Sequence, residues 1–222
     1  TFRIALAGDG NVAGGARELL LNAGIKEVTP EAYVSGEFHE AVFTQLSPRH
    51  MYQRKDGAPF DKAAFKQSPE AHESAFQQYA VQTDVLINAV YWDTGIPRHF
   101  EAEDTAHTDF RIKTIADVSC DIRGSCPLTV QHSYKETPVY GFDPQSQDLT
   151  DPYQTNTIDI MAIDNLPNEL PKDASHAVGE VMKNTILPTY IENPEHPMFE
   201  RATITRNGSL TPDFSYLESF VH

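Results

Sequence analysis

Three small residues, Gly8, Gly10 and Ala13, follow a short apolar run and open a stretch with helical spacing. Glycine at the first place permits a sharp turn, and glycine at the second lets backbone approach a ligand closely. A small third residue lets a helix pack on a strand. The first amides of such a helix, at Asn11 and Val12, would face an anion, because they lack intrahelical acceptors and the helix dipole adds positive character. This pattern fits the holding of a dinucleotide diphosphate. The competing reading is a glycine-rich turn with no ligand.

Further candidates stand where apolar runs stop. "NAVYW" (88–92), "ADVSCD" (116–121) and "MAIDNLP" (161–167) follow the carboxyl ends of expected strands, the edge at which open α/β sheets bind ligands. Asp117, Asp121 and Asp164 are therefore candidates for substrate or nicotinamide contacts, although carboxylates at strand ends also bond turn amides. An acid at the end of the second strand would bond the ribose 2′-hydroxyl of NAD. Here Glu27 comes too early and Glu31 follows Pro30. Thr29-Pro30 in place of that acid tilts the reading toward NADP, with Arg49 or Arg54 in reach of a 2′-phosphate. No G-x-S-x-G, H-E-x-x-H or Walker A pattern is present. His50, His72, His99 and His132 have no partner at ligand spacing, so surface histidines and no metal site are expected. Phe65, Phe76 and Tyr79 read as core.

The elements that must position these residues follow from periodicity. Phe2–Gly8 is a buried-strand run, and Asn11 onward is a helix with Val12, Ala16, Leu19, Leu20 and Ala23 on one side, stopped at Gly24. "IKEVTP" is the expected second strand, ending at Pro30. Residues 31–60, polar and rich in turn formers, read as an insertion loop with one short ordered piece. Residues 61–80 look helical with a break at Pro69. "TDVLINAVYW", "FRIKTIADVSCD" and "TIDIMAIDNLP" give three more strands. "DASHAVGEVMKNTILPTYI" is a helix with Asp173 or Ser175 as its cap and Pro188 near its end, and "NG" in the tail is a turn signal. The expectation is one domain over residues 1–222. Its fold is α/β: a Rossmann-like, doubly wound, mostly parallel sheet with an insertion after the second strand. A helical and β appendage ends it, with a tail at 192–222.

Seventeen Lys and Arg against thirty-two Asp and Glu give a formal charge of −15. With no basic stripe, nucleic acid is excluded as a partner, while a small anion held by local amides is not. The apolar runs are too short for a membrane span. Cys120 and Cys126 read as free thiols in a reducing compartment, a disulfide being the alternative. The expected location is cytoplasmic, or mitochondrial for a eukaryotic source.

Several segments together carry a family resemblance: "LSPRHMYQRKDGAPFDKAAFKQSPE", "DVLINAVYWDTGIPR", "IADVSCDIRGS", "IMAIDNLPNELPKDAS" and "ERATITRNGSL". They resemble the lysine–2-oxoglutarate reductase half of aminoadipic semialdehyde synthase. More distantly they resemble saccharopine dehydrogenases and the alanine dehydrogenase/transhydrogenase superfamily. The resemblance implies NAD(P)-dependent formation or splitting of saccharopine through an imine of lysine and 2-oxoglutarate, with NADPH in the reductase branch. It implies a substrate domain ahead of the nucleotide domain, carrying the acid–base Lys and His; this chain, which begins at Thr1, does not contain that domain and is expected to be inactive alone. By position, Gly10, Asn11 and Val12 match the diphosphate loop, and Ala89, Val90 and Tyr91 the segment along the adenosine and nicotinamide ribose. Val118, Ser119, Ile163, Asp164 and Leu166 match segments near the nicotinamide. Two other readings stay open: a non-catalytic dinucleotide-binding regulatory module, and an alanine-type amino-acid dehydrogenase. The oligomeric state is left open as well.

Overall fold

Eight strands form a single sheet in the computed structural model, which describes residues 1–221. In chain order the first part runs β1 (Arg3–Ala7), α1 (Asn11–Asn22), β2 (Lys26–Glu27), α2 (Pro30–Ser35), β3 (Val42–Leu46) and α3 (Pro48–Met51). A small excursion follows, with β4 (Tyr52–Arg54), α4 (Lys62–Gln67), β5 (His72–Ser74) and α5 (Gln77–Ala80). The sheet resumes with β6 (Val85–Asn88), β7 (Thr114–Asp117), β8 (Tyr140–Phe142), β9 (Leu149–Thr150) and β10 (Ile158–Met161).

The spatial order is β2-β3-β1-β6-β7-β10-β8-β9, with β4 and β5 forming their own antiparallel pair. Strands from β2 to β10 pair in parallel, and β8 and β9 add an antiparallel edge. The chain leaves β1 toward β3 and β2, then returns to build β6 on the other side. The reversal between β1 and β6 is the switch point at which a doubly wound sheet opens a crevice. The expected Rossmann-like α/β fold is present. Ala5, Leu6, Ala7 and Leu86 are fully buried, as the continuous apolar runs require of a sheet covered on both faces.

The chain divides into two compact units, Thr1–Asp164 and Asn165–His222, where the sequence reading expects a single domain with a tail from residue 192. The second unit holds α6 (Leu166–Glu169), α7 (Pro171–Val181), a π-helical turn at Met182–Ile186, α8 (Leu187–Glu192), α9 (Pro197–Ala202) and the hairpin β11 (Thr205–Arg206) and β12 (Ser209–Leu210). Asn207 and Gly208 both take positive φ at the hairpin turn, as the "NG" signal requires. Pro171, not Asp173 or Ser175, opens α7, with Leu170 at the cap position; proline suits a first helical turn, whose amides have no intrahelical acceptor. Pro188 does not end the helix. The wider π turn just before it accommodates the missing N–H and the ring.

Other expectations are corrected in the first unit. Residues 31–60 are not an insertion loop: they carry α2 and β3, and β3 pairs with β1 along its whole length, from Arg3 opposite Val42 to Ala7 opposite Leu46. β2 is only two residues long and lies at the sheet edge, and Pro30 starts α2 behind Thr29, whose hydroxyl accepts from the Ala32 amide at 3.2 Å. The buried face of α1 is Ala13 and Leu20, whereas Val12 and Leu19 point to solvent. His72 and His99 are buried rather than superficial. The helix expected over 61–80 gives way at His72 to β5. Phe76 and Tyr79 are core residues as read, and Cys120 and Cys126 are free thiols.

Candidate dinucleotide-binding site

The loop joining β1 to α1 is clamped on both sides. The Gly8 amide donates to Leu46 O of β3 at 2.8 Å, Gln45 Nε2 donates to Gly8 O at 3.0 Å, and the Ala89 amide donates to Ala7 O at 2.9 Å. Gly8 has φ +120°, and a Cβ there would stand 2.4 Å from Ala89 O. Only glycine meets both conditions. Gly10 is different: its φ is −86°, it occupies the cap position of α1 without any side-chain cap, and a Cβ on it would meet nothing within 4 Å. The first turn of α1 carries no acidic residue. The loop therefore presents open backbone and the positive end of a three-turn helix to a space in front of it.

That space is a cavity of about 670 Å³, lined from the carboxyl end of β1 by Gly8, Asp9 and Gly10, and from the segment after β3 by Pro48, Met51 and Tyr52. Ala89, Val90 and Tyr91 line it after β6, with Asp93, Gly95 and Ile96 further along. Lys62, Phe65, Lys66 and Pro69 enter from α4 and the turn after it. It sits at the switch point and has the size and largely apolar wall of a cofactor cleft. Tyr91 is 83% exposed, a large ring left at the mouth. These residues fit a dinucleotide: small groups where a diphosphate would lie, and apolar groups beside it.

The strand ends beyond the cavity form a buried polar network. Asn88, at the end of β6, donates from Nδ2 to Asp117 Oδ1 and to Ser125 Oγ, both at 2.8 Å. Its Oδ1 accepts from His99 Nε2 at 3.0 Å. The Thr129 hydroxyl donates to Asp117 Oδ2, and the Cys120 amide to Oδ1. Burial holds the Asp117 carboxyl above its ordinary range against these three hydrogen bonds. At 1% exposure and with both oxygens taken, Asp117 holds the turn together rather than facing a cleft. Burial likewise lowers His99 to about 4, so its ring is neutral.

Among the other sequence candidates, Asn11 and Val12 begin α1 and Ala13 packs beneath it. Val118 and Ser119 are fixed after β7, with the Val118 amide on Asn88 O at 2.8 Å and the Ser119 hydroxyl on Val90 O at 2.7 Å. Ile163 O accepts from Cys120 Sγ, and Asp164 lies 3.8 Å from His132 Nδ1. Asp121 is exposed, with its backbone O accepting from the Gly124 amide. Leu166 lies in the second unit. Arg54 is engaged by Asp56 in a two-pronged pair, its Nε 2.9 Å from Oδ1, and does not line the cavity. Arg49 donates from Nε to His50 Nε2 at 3.2 Å.

The structure relocates the ribose-acid question. On that side of β1 the neighbouring strand is β3, not the edge strand β2, so an acid for the ribose would stand after Leu46. There the chain reads Ser47, Pro48, Arg49 and His50, with no carboxylate. Glu31 lies within electrostatic reach of Arg49 and His50, its carboxyl held low chiefly by hydrogen bonds within its own turn. Sequence reasoning missed Lys62, Lys66 and Phe65 as cavity residues, because nothing local in "DKAAFKQ" marks a helix that folds back over another loop, and it missed Met51 because α3 follows the unrecognised strand β3.

No group of three or more His, Cys, Asp or Glu able to hold a metal is present among the described residues. None of the helices among these residues is long and apolar enough to cross a membrane.

No family model matches the chain. Individual proteins do. Over 95% of its length the chain is 26% identical to the mitochondrial alpha-aminoadipic semialdehyde synthase of Mus musculus and 28% identical to the alpha-aminoadipic semialdehyde synthase of Arabidopsis thaliana. It is also 23% identical, over 60% of its length, to the NAD+-dependent, L-lysine-forming saccharopine dehydrogenase of Schizosaccharomyces pombe. The matched regions are 26%, 22% and 35% of those proteins, so the chain spans about a quarter of the synthases it resembles. The likeness carried by the sequence motifs thus extends along nearly the whole chain, and the relatives are enzymes.

Proposed function

We propose that this relative of the semialdehyde synthases and saccharopine dehydrogenases is the NAD(P)-binding part of an oxidoreductase. It would act on the CH–NH bond of saccharopine, forming it from lysine and 2-oxoglutarate or splitting it. The observation that carries the proposal is the geometry at Gly10: an uncapped helix start whose only missing atom, a Cβ, would project into open space at the sheet's switch point.

In this reading Gly8, Gly10 and the amides of Asn11 and Val12 hold the diphosphate, with Ala13 letting α1 pack close. Ala89, Val90 and Tyr91 run along the riboses. Val118, Ser119, Ile163 and Asp164 serve the nicotinamide end, and Asp121 faces the substrate side. The cofactor supplies hydride transfer; the chain supplies orientation and a fixed electrostatic setting. Asp117 acts by holding Val118 and Ser119 in place. The acid–base groups belong to a substrate domain expected ahead of this one, so this segment alone binds without turning over. The reaction belongs to lysine metabolism, in the cytoplasm or in mitochondria.

NADP is the favoured form. Arg49 follows the strand beside β1, where the segment after Leu46 carries no carboxylate of its own and Glu31 of α2 is the acid within electrostatic reach. Calorimetric titration with NADPH and NADH tests both levels. Binding of NADPH in preference to NADH, with the preference lost in Arg49→Ala, is expected. Binding of neither overturns the cofactor reading, and a preference for NADH overturns the 2′-phosphate assignment in favour of a ribose contact by Glu31. The longest natural polypeptide carrying this sequence is then assayed with lysine plus 2-oxoglutarate, saccharopine and alanine. Turnover of alanine alone would point to the alanine-type dehydrogenase, and turnover of none of them to a regulatory module.

A further inference from the structure

The middle residue of the glycine loop is an acid, and a carboxylate beside a diphosphate is unfavourable. The Asp9 side chain is 43% exposed and its Oδ2 lies 3.5 Å from Lys62 Nζ. Lys62 comes from α4, a separate part of the chain, and Lys66 follows one turn later on the same helix face. Both line the cavity, as do the acids Asp9 and Asp93. In a chain of net charge −15, these two lysines alone bring the cavity's formal charge to zero. α4 is firmly placed: the Asp61 carboxylate accepts from the Ala64 amide at 2.7 Å. Phe65, between the lysines, stacks on Tyr52 at 4.8 Å and meets His72 edge-on at 5.0 Å. The lysine stems therefore start from a packed helix rather than a loose loop.

We propose that Lys62 and Lys66 recognise the phosphate groups of the dinucleotide, Lys62 bridging Asp9 and phosphate so that the acid in the loop does not repel the ligand. The inference rests on the dinucleotide reading above and goes beyond it in naming α4 as the cationic wall. Nothing in the sequence around "FDKAAFKQ" shows this role; it follows from the fold-back of α4 over the β1–α1 loop.

The test is the affinity of the chain for NADPH and NADH at low and high salt, for the wild type, Lys62→Ala/Lys66→Ala and Lys62→Arg/Lys66→Arg. Charge-assisted hydrogen bonds of this kind support a loss of about tenfold or more in the alanine variant, with a shallower salt dependence and recovery in the arginine variant. An equal loss for both dinucleotides places the lysines on the diphosphate; a loss confined to NADPH places them on the 2′-phosphate. Asp9→Asn is expected to tighten binding and to steepen nothing else. If the wild type binds both dinucleotides and the alanine variant, with unchanged melting temperature, binds them equally well at every salt, the lysine proposal is wrong while the cofactor reading stands. If the wild type binds neither, both fall together.

Discussion

Asn88 and Asp117 face each other as register partners at the carboxyl ends of β6 and β7, joined by a 2.8 Å hydrogen bond from Nδ2 to Oδ1. Their side chains, not the strands alone, fix the turn that carries Val118 and Ser119. Asp117→Ala would leave one Nδ2–H of Asn88, the Thr129 hydroxyl and the Cys120 amide without their acceptor in a closed space, Asn88 keeping its bond to Ser125 Oγ. The expected loss is about 2–4 kcal/mol, read as a lowered midpoint in urea. A change within error would mean that the network contributes nothing to holding the turn.

The same network contains a pH response. His99 is lowered to about 4 by burial, whereas an unfolded histidine titrates near 6.5. Stability tied to its neutral ring is fully present above about pH 6.5 and is lost as pH falls toward 4, by on the order of 3 kcal/mol. Asp117 has the opposite sign: its carboxyl is held above the usual range, so the stability tied to its protonated form is lost as pH rises through that raised value. Urea denaturation of wild type and His99→Phe across this interval should show a steeper acid-side decline in the wild type. Parallel curves would contradict the assignment.

Both thiols should resist modification in the folded protein. Cys126 is wholly buried and pushed up to about 12, and Cys120 to about 11, where burial adds to nearby carboxylates and Sγ donates to Asp117 O and Ile163 O. Iodoacetamide labelling at pH 8, read by mass spectrometry, is expected to be slow until denaturant is added. Rapid labelling of either residue in the native protein would show that this region opens.

Gly8 is a structural glycine. Gly8→Ala would place a methyl group 2.4 Å from Ala89 O on a backbone with φ +120°. A loss of about 2–4 kcal/mol is expected, since strain and steric overlap act together. Thermal melting decides it: a midpoint equal to the wild type would show that the loop and β6 can separate freely.

The parts of the fold visible in the sequence were those with uninterrupted apolar runs: β1, β6, β7 and β10 each read as buried strands, and the glycine pattern marked the turn into α1. β3 was hidden because Thr44 and Gln45 interrupt its apolar run and a polar, turn-rich stretch follows. In the fold Thr44 is buried, and Gln45 spends its amide on Gly8 O. These are tertiary reasons that no local pattern carries. Missing β3 put the ribose-acid question at Thr29-Pro30 instead of after Leu46. The face of α1 is hidden from local pattern for a similar cause: Val12 and Leu19 are apolar yet exposed, and the contact with the sheet runs through Ala13 and Leu20. His99 reads as polar in sequence, but its neighbours Tyr52 and Phe76 come from distant segments and enclose it.

Gly10→Val separates ligand binding from folding most directly, because a Cβ at this position meets no atom beyond its chain neighbours within 4 Å. Its melting temperature should stay close to the wild type while calorimetric titration with NADPH shows binding abolished. Retention of wild-type NADPH affinity in Gly10→Val would contradict the placement of the dinucleotide at the start of α1.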